Sequence, residues 1–80
     1  MSYRVQGNEP PSKKYVDIVA RRFSGERDAC RHARWVLEVP EGMTRTRVVD
    51  ARNRVVCAFT RKWYASGAYG PIVEDRRGRR

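Results

Sequence analysis

The chain has 80 residues, 40% apolar and 34% charged, and its 18 Lys and Arg against 9 Asp and Glu give a formal net charge of +9. A chain this short folds as one domain around one small core and buries only about 60% of its unfolded surface, which excludes a substrate cleft backed by a second domain. The charge excess repels itself in the folded state and so points to a polyanionic partner, and 15 of the cations are Arg, the side chain suited to bidentate phosphate and carboxylate contacts.

Residues 3–6 alternate weakly and read as a short edge strand, and Gly7-Asn8-Glu9-Pro10-Pro11-Ser12 then breaks the chain with turn residues. Residues 15–23 read as a second strand, with Val16, Ile18 and Ala20 on one side and Tyr15, Asp17, Val19, Arg21 and Phe23 on the other. The two strands are expected to pair as a hairpin. Ser24 can cap a helix whose first turn carries Glu26 and Asp28. Ala29, Ala33, Val36 and Leu37 then fall at i, i+4, i+7 and i+8 with Cys30 beside them, an amphipathic stripe that ends near Val39, before Pro40 and Gly42.

Residues 43–50 and 54–63 read as two further strands joined by Ala51-Arg52-Asn53, a hairpin loop in which Asn53 can adopt the left-handed conformation. Residues 65–71, rich in Ala, Ser and Gly, hold regular structure poorly, Ile72-Val73 has room for a brief edge strand, and Arg76-Arg77-Gly78-Arg79-Arg80 reads as disordered. The expected architecture is therefore α+β: an antiparallel sheet of about four strands in the order β-β-α-β-β, with one amphipathic helix on one face. Residues 1–64 form the domain and residues 65–80 a flexible basic tail.

Several chemistries are not supported by these residues. His32 is the single histidine, and Cys30 and Cys57 do not form a Cys-x-x-Cys pair, so no metal site is expected. Cys30 and His32 are two apart on the helix and do not face each other as a nucleophile and base would. With no phosphate-binding glycine loop, no cofactor and no catalytic residue is assigned, and the chain is not expected to be an enzyme. No run is long enough to span a membrane, and Met1-Ser2-Tyr3-Arg4-Val5 lacks the apolar segment of a signal peptide. The protein is thus expected in the cytoplasm, with both cysteines as small buried hydrophobes and not as a disulfide.

The candidate contacts are cationic. Arg27, Arg31 and Arg34 share one helix face, Arg45 and Arg47 alternate onto one side of the third strand, and Arg61-Lys62-Trp63-Tyr64 sets two cations beside two aromatics. Cations interleaved with aromatics suit phosphate contact combined with stacking. Trp35 falls away from the apolar stripe, beside Asp28, where it either folds over the Pro40 loop or stands exposed as an anchor.

The segment Asp28-Ala29-Cys30-Arg31-His32-Ala33, and the hairpin ending Ala58-Phe59 before a basic stretch and Trp63, resemble small phage-encoded anti-CRISPR proteins that inhibit type I surveillance complexes (Cascade). The likeness runs from residue 15 to residue 63 and is to a type I-F inhibitor with a β-β-α-β-β layout. It implies docking on the backbone subunits of Cascade near the guide RNA, obstructing guide–target pairing. Arg31 falls where that inhibitor carries a helical cation. Cys30 replaces the neighbouring cation, and Thr60 stands at a basic position, with Arg61 and Lys62 next along. The resemblance implies a Cascade inhibitor; four strands over a thin core leave both a monomer and a homodimer open. A small protein that binds DNA or RNA directly is the alternative the charge leaves open, and a ribosome- or virion-associated protein is a third.

Overall fold

The computed structural model describes residues 2–8, 14–38, 43–63 and 69–75. Among these, the chain forms β1 (Arg4–Asn8), β2 (Val16–Asp17), α1 (Glu26–Glu38), β3 (Arg45–Val49), β4 (Val55–Trp63) and β5 (Tyr69–Asp75). The five strands make one sheet in the order β2-β1-β3-β4-β5, each pair of neighbours antiparallel. The α+β class and the helix laid against an antiparallel sheet are as expected, and the brief edge strand allowed at Ile72-Val73 is present within a longer β5; several boundaries differ.

β1 is an interior strand, because its second edge pairs with β3 from Arg4↔Val49 to Asn8↔Arg45. That pairing draws Gly7 and Asn8, expected as turn residues, into the ladder. A Cβ on Gly7 would lie 2.6 Å from the Met43 sulfur and 3.0 Å from Ile18 Cγ2, so a side chain there would displace Met43 and crowd Ile18.

The expected strand over residues 15–23 is broken. β2 covers only Val16 and Asp17, and the chain rejoins the sheet at Phe23, which exchanges two backbone hydrogen bonds with Tyr3 at 2.8 and 2.9 Å. Ile18 and Phe23 both pack on the core, yet strict alternation would send them to opposite faces. The bend between them resolves the conflict.

The stretch expected as a tail is in part a strand. β5 pairs with β4 from Ala58↔Asp75 to Trp63↔Tyr69. Pro71 falls at the shift of register between Arg61↔Ile72 and Trp63↔Tyr69, on a strand at the edge of the described sheet, where a missing N–H is tolerated. The basic residues 76–80 lie outside the described residues, as do Val39 and Pro40.

α1 packs one stripe on the sheet. Ala29, Cys30, Ala33 and Leu37 are buried and Val36 sits at the margin. They meet Val5, Val48, Cys57 and Phe59, which share the helix-facing side. The alanines let the helix backbone come close: Thr46, fully buried in β3, donates from Oγ1 to the Ala33 carbonyl at 2.9 Å. Contrary to expectation, Cys30 and Cys57 are joined in a disulfide, with Cα atoms 6.6 Å apart across the helix–sheet interface. Both half-cystines are buried among apolar side chains, so the surroundings that suggested free thiols belong to one shared site. Only the pairing of α1 with β4 brings them into bonding range.

The β3–β4 hairpin turns on Asp50. Its Oδ1 accepts from the N–H groups of Arg52 and Arg54 at 2.8 and 2.9 Å, and its Oδ2 from Arg54 Nε at 3.1 Å. The Arg54 N–H, above all, holds the Asp50 carboxyl below its ordinary pKa of 3.8, against a smaller opposing push from burial. Asn53 adopts φ 62°, the left-handed conformation expected of it.

Candidate nucleic-acid interface

The outward side of α1 carries Arg27, Arg31 and Arg34, all exposed. Arg34 lies 3.7 Å from Glu38 one turn on, an exposed pair of small energetic consequence. Among the described residues no ion pair or hydrogen bond engages Arg27 or Arg31. Their own turn supplies no acid at i+4, since those positions hold Arg31 and Trp35. On the β5 side, Glu74 and Phe59 share a shallow hollow with these three arginines.

An adjacent face of the helix presents Asp28, Arg31, His32 and Trp35, at i, i+3, i+4 and i+7, toward the bent segment before α1. Together with Arg21, Arg22, Phe23 and Ser24 they bound a cleft of about 430 Å³. Three rings step outward along it. Phe23 is rooted in the core, His32 lies 5.3 Å from it between ring centroids, and Trp35 lies 5.5 Å beyond, each tilted by 41°. Trp35 remains 55% exposed, a projecting ring; the Pro40 loop, the other place expected for it, lies outside the described residues. Arg21 stacks its guanidinium 4.6 Å above Phe23, and Arg22 is exposed beside it with no acid partner among the described residues.

The nine predicted contact residues do not share one surface. Arg27, Arg31, Arg34 and Trp35 are together on α1. Arg45 and Arg47 are on the opposite face of the sheet, because Thr46 between them points at the helix. Arg45 is exposed there. Arg47 is held, with its guanidinium 4.2 Å over the Tyr15 ring and Nε donating to Gln6 Oε1 at 2.8 Å.

Arg61 points inward from β4. It donates from Nη1 to the Leu37 carbonyl at 2.6 Å and from Nε to the Gly70 carbonyl at 3.1 Å. The last turn of α1 contains no basic residue of its own, so Arg61 supplies from the sheet the cation that a helix C-terminus favours. Lys62 and Trp63 belong to β4, and their side chains lie outside the described residues.

Sequence reasoning missed Arg21, Arg22, Phe23 and His32 as parts of one site. A signal was present: an Arg-Arg-Phe run ends just before the helix start, and His32 and Trp35 sit one turn apart behind it. Reading residues 15–23 as a continuous strand hid that relation.

No protein-family model matches the chain, and no match was found among curated proteins or solved structures. Among the described residues no helix is long and apolar enough to cross a membrane.

Proposed function

We propose that this chain is a non-enzymatic inhibitor that docks on a nucleic-acid-containing complex through the α1 side of the fold, type I Cascade being the complex that the sequence resemblance implies. The observation that carries the reading is the set Arg22, Arg27 and Arg31, exposed on that side without an acid partner among the described residues. Desolvating unpaired guanidiniums is unfavourable unless the partner supplies anions, and phosphates arranged along a guide or target strand do so bidentately. Occupation of a phosphate-binding channel would exclude target DNA by bulk and by charge together.

A gel-shift of labelled target DNA with guide-loaded type I Cascade, run with and without the protein and with a lane lacking Cascade, tests this. Loss of the Cascade shift while the naked target duplex stays unmoved is the expected result. The double variant Arg27→Glu/Arg31→Glu should restore the shift at the same dose. A charge-reversed variant that folds and inhibits as well as the parent would remove this face from the mechanism.

Direct binding of nucleic acid is the second reading, favoured by one feature, the exposed Trp35 set among cations. It expects the naked target duplex itself to be shifted without Cascade, with affinity falling steeply as salt rises.

A further inference from the structure

We infer that the cleft between α1 and residues 21–24 is a subsite for one unpaired nucleotide, its base stacked on Trp35 and its phosphates held by Arg22 and Arg31. The inference deepens the proposed function and rests on it for the identity of the partner as nucleic acid, whether guide RNA or single-stranded DNA.

A basic surface alone would attract any polyanion. This site adds a directional apolar element. Trp35 is the outermost of three rings in contact, and the chain through His32 to Phe23 ties it to the core, so its ring is presented on a braced base. A large aromatic left 55% exposed next to cations is costly to leave in water, and a nucleobase offers it a flat π-face of matching size. The cleft volume of about 430 Å³ falls within the range of small-ligand sites, about 300–1,000 Å³, and is on the scale of one nucleotide.

The charges are distributed to match. Arg22 and Arg31 belong to the two walls of the cleft, one on the preceding segment and one on the helix. A backbone running through the cleft therefore meets a cation on either side of the stacked base. Arg21 is the less available cation, since its guanidinium covers Phe23. Asp28, the one acid among the described residues that line the cleft, repels phosphate but accepts a hydrogen bond from a base's exocyclic amine, which orients the base edge toward it. In a duplex the base faces are already stacked on their neighbours, so the geometry selects unpaired strands.

An abasic oligonucleotide separates stacking from charge, because it keeps every phosphate and lacks the bases. Fluorescence anisotropy would compare a labelled 12-nucleotide single strand of mixed sequence with its abasic counterpart and its duplex, at low salt. The wild-type chain should bind the base-bearing strand about 5- to 150-fold more tightly than the abasic one, the equivalent of about 1–3 kcal/mol per stacked base. Trp35→Ala should bind both strands alike, at the wild-type affinity for the abasic strand, and Trp35→Phe should recover part of the preference.

Equal wild-type affinity for base-bearing and abasic strands, or a preference that survives Trp35→Ala, overturns the inference and leaves the charge-based reading intact. Absence of binding to all three probes overturns it as well, and the Cascade gel then judges the docking reading separately.

Discussion

On the side of the sheet away from α1, Arg4 and Arg47 are tied down, while Arg45 stands exposed at the end of β3. Arg4 reaches Asp17 at 3.5 Å and also donates to Asn53, Gln6 bridges Asp17 at 2.9 Å and Arg47 at 2.8 Å, and Arg47 lies over Tyr15. At the hairpin end Arg54 is bound to Asp50. Across the sheet, Arg22, Arg27 and Arg31 stand exposed with no such partners among the described residues. The same residue type thus serves two ends. One side uses Arg4 and Arg47 as hydrogen-bonding cross-links over the sheet surface. The other leaves its guanidiniums for an external anion. The net charge of +9 measures neither; its placement does.

The largest expected effect concerns the platform on which the free cations stand. The Cys30–Cys57 bond closes a loop of 27 residues and ties α1 to β4. Replacing both cysteines by Ala should lower stability by about 3–4 kcal/mol on chain-entropy grounds, read as a drop in the urea midpoint. An unchanged midpoint would mean that helix docking rests on packing alone.

Arg61 comes next. Arg61→Ala strips a charged donor from the Leu37 and Gly70 carbonyls and should cost about 1.5–3 kcal/mol in the same experiment. A value near zero would show that water replaces the guanidinium at the helix end.

Arg47 and Arg31 then form an opposed pair. Arg47→Ala loses a hydrogen bond and a ring contact and should destabilise by about 1–2 kcal/mol without changing nucleic-acid binding. Arg31→Ala should stay within about 0.5 kcal/mol of the parent in stability but weaken binding and reduce the salt slope by about one. If both variants affect stability and binding alike, the two faces are not functionally distinct.

The smallest effect is in pH. Asp50 has its folded pKa depressed by the N–H donors of the hairpin, so its contribution is fully present above the unfolded value of 3.8 and is lost as pH falls through the lower folded value. Asp50→Asn should therefore flatten the loss of stability below pH 3.8. An unaltered acid limb would assign that loss to other carboxyls.

The parts legible in the sequence were those governed by short-range rules. The period of Ala29, Ala33 and Leu37 marked the helix and its buried side, and Asn53 marked the hairpin turn, because local backbone preference and amphipathic spacing act within a few residues. Ser24 marked the helix start to within one residue; the carbonyl that accepts the first helical N–H, from Ala29, is that of Gly25.

What only the tertiary structure decided depends on partners far apart in sequence. No spacing rule shows that β1 lies between β2 and β3, that Cys30 meets Cys57, or that Arg61 turns inward to cap a helix that ended 23 residues earlier. The candidate site is divided in the same way. Its cations on α1 follow from helical periodicity, whereas the cleft exists because Ile18 and Phe23 both seek the core and the chain must bend between them, carrying Arg21 and Arg22 to the foot of Trp35. Sequence fixes which side chains are available, and the competition for one small core fixes where they meet.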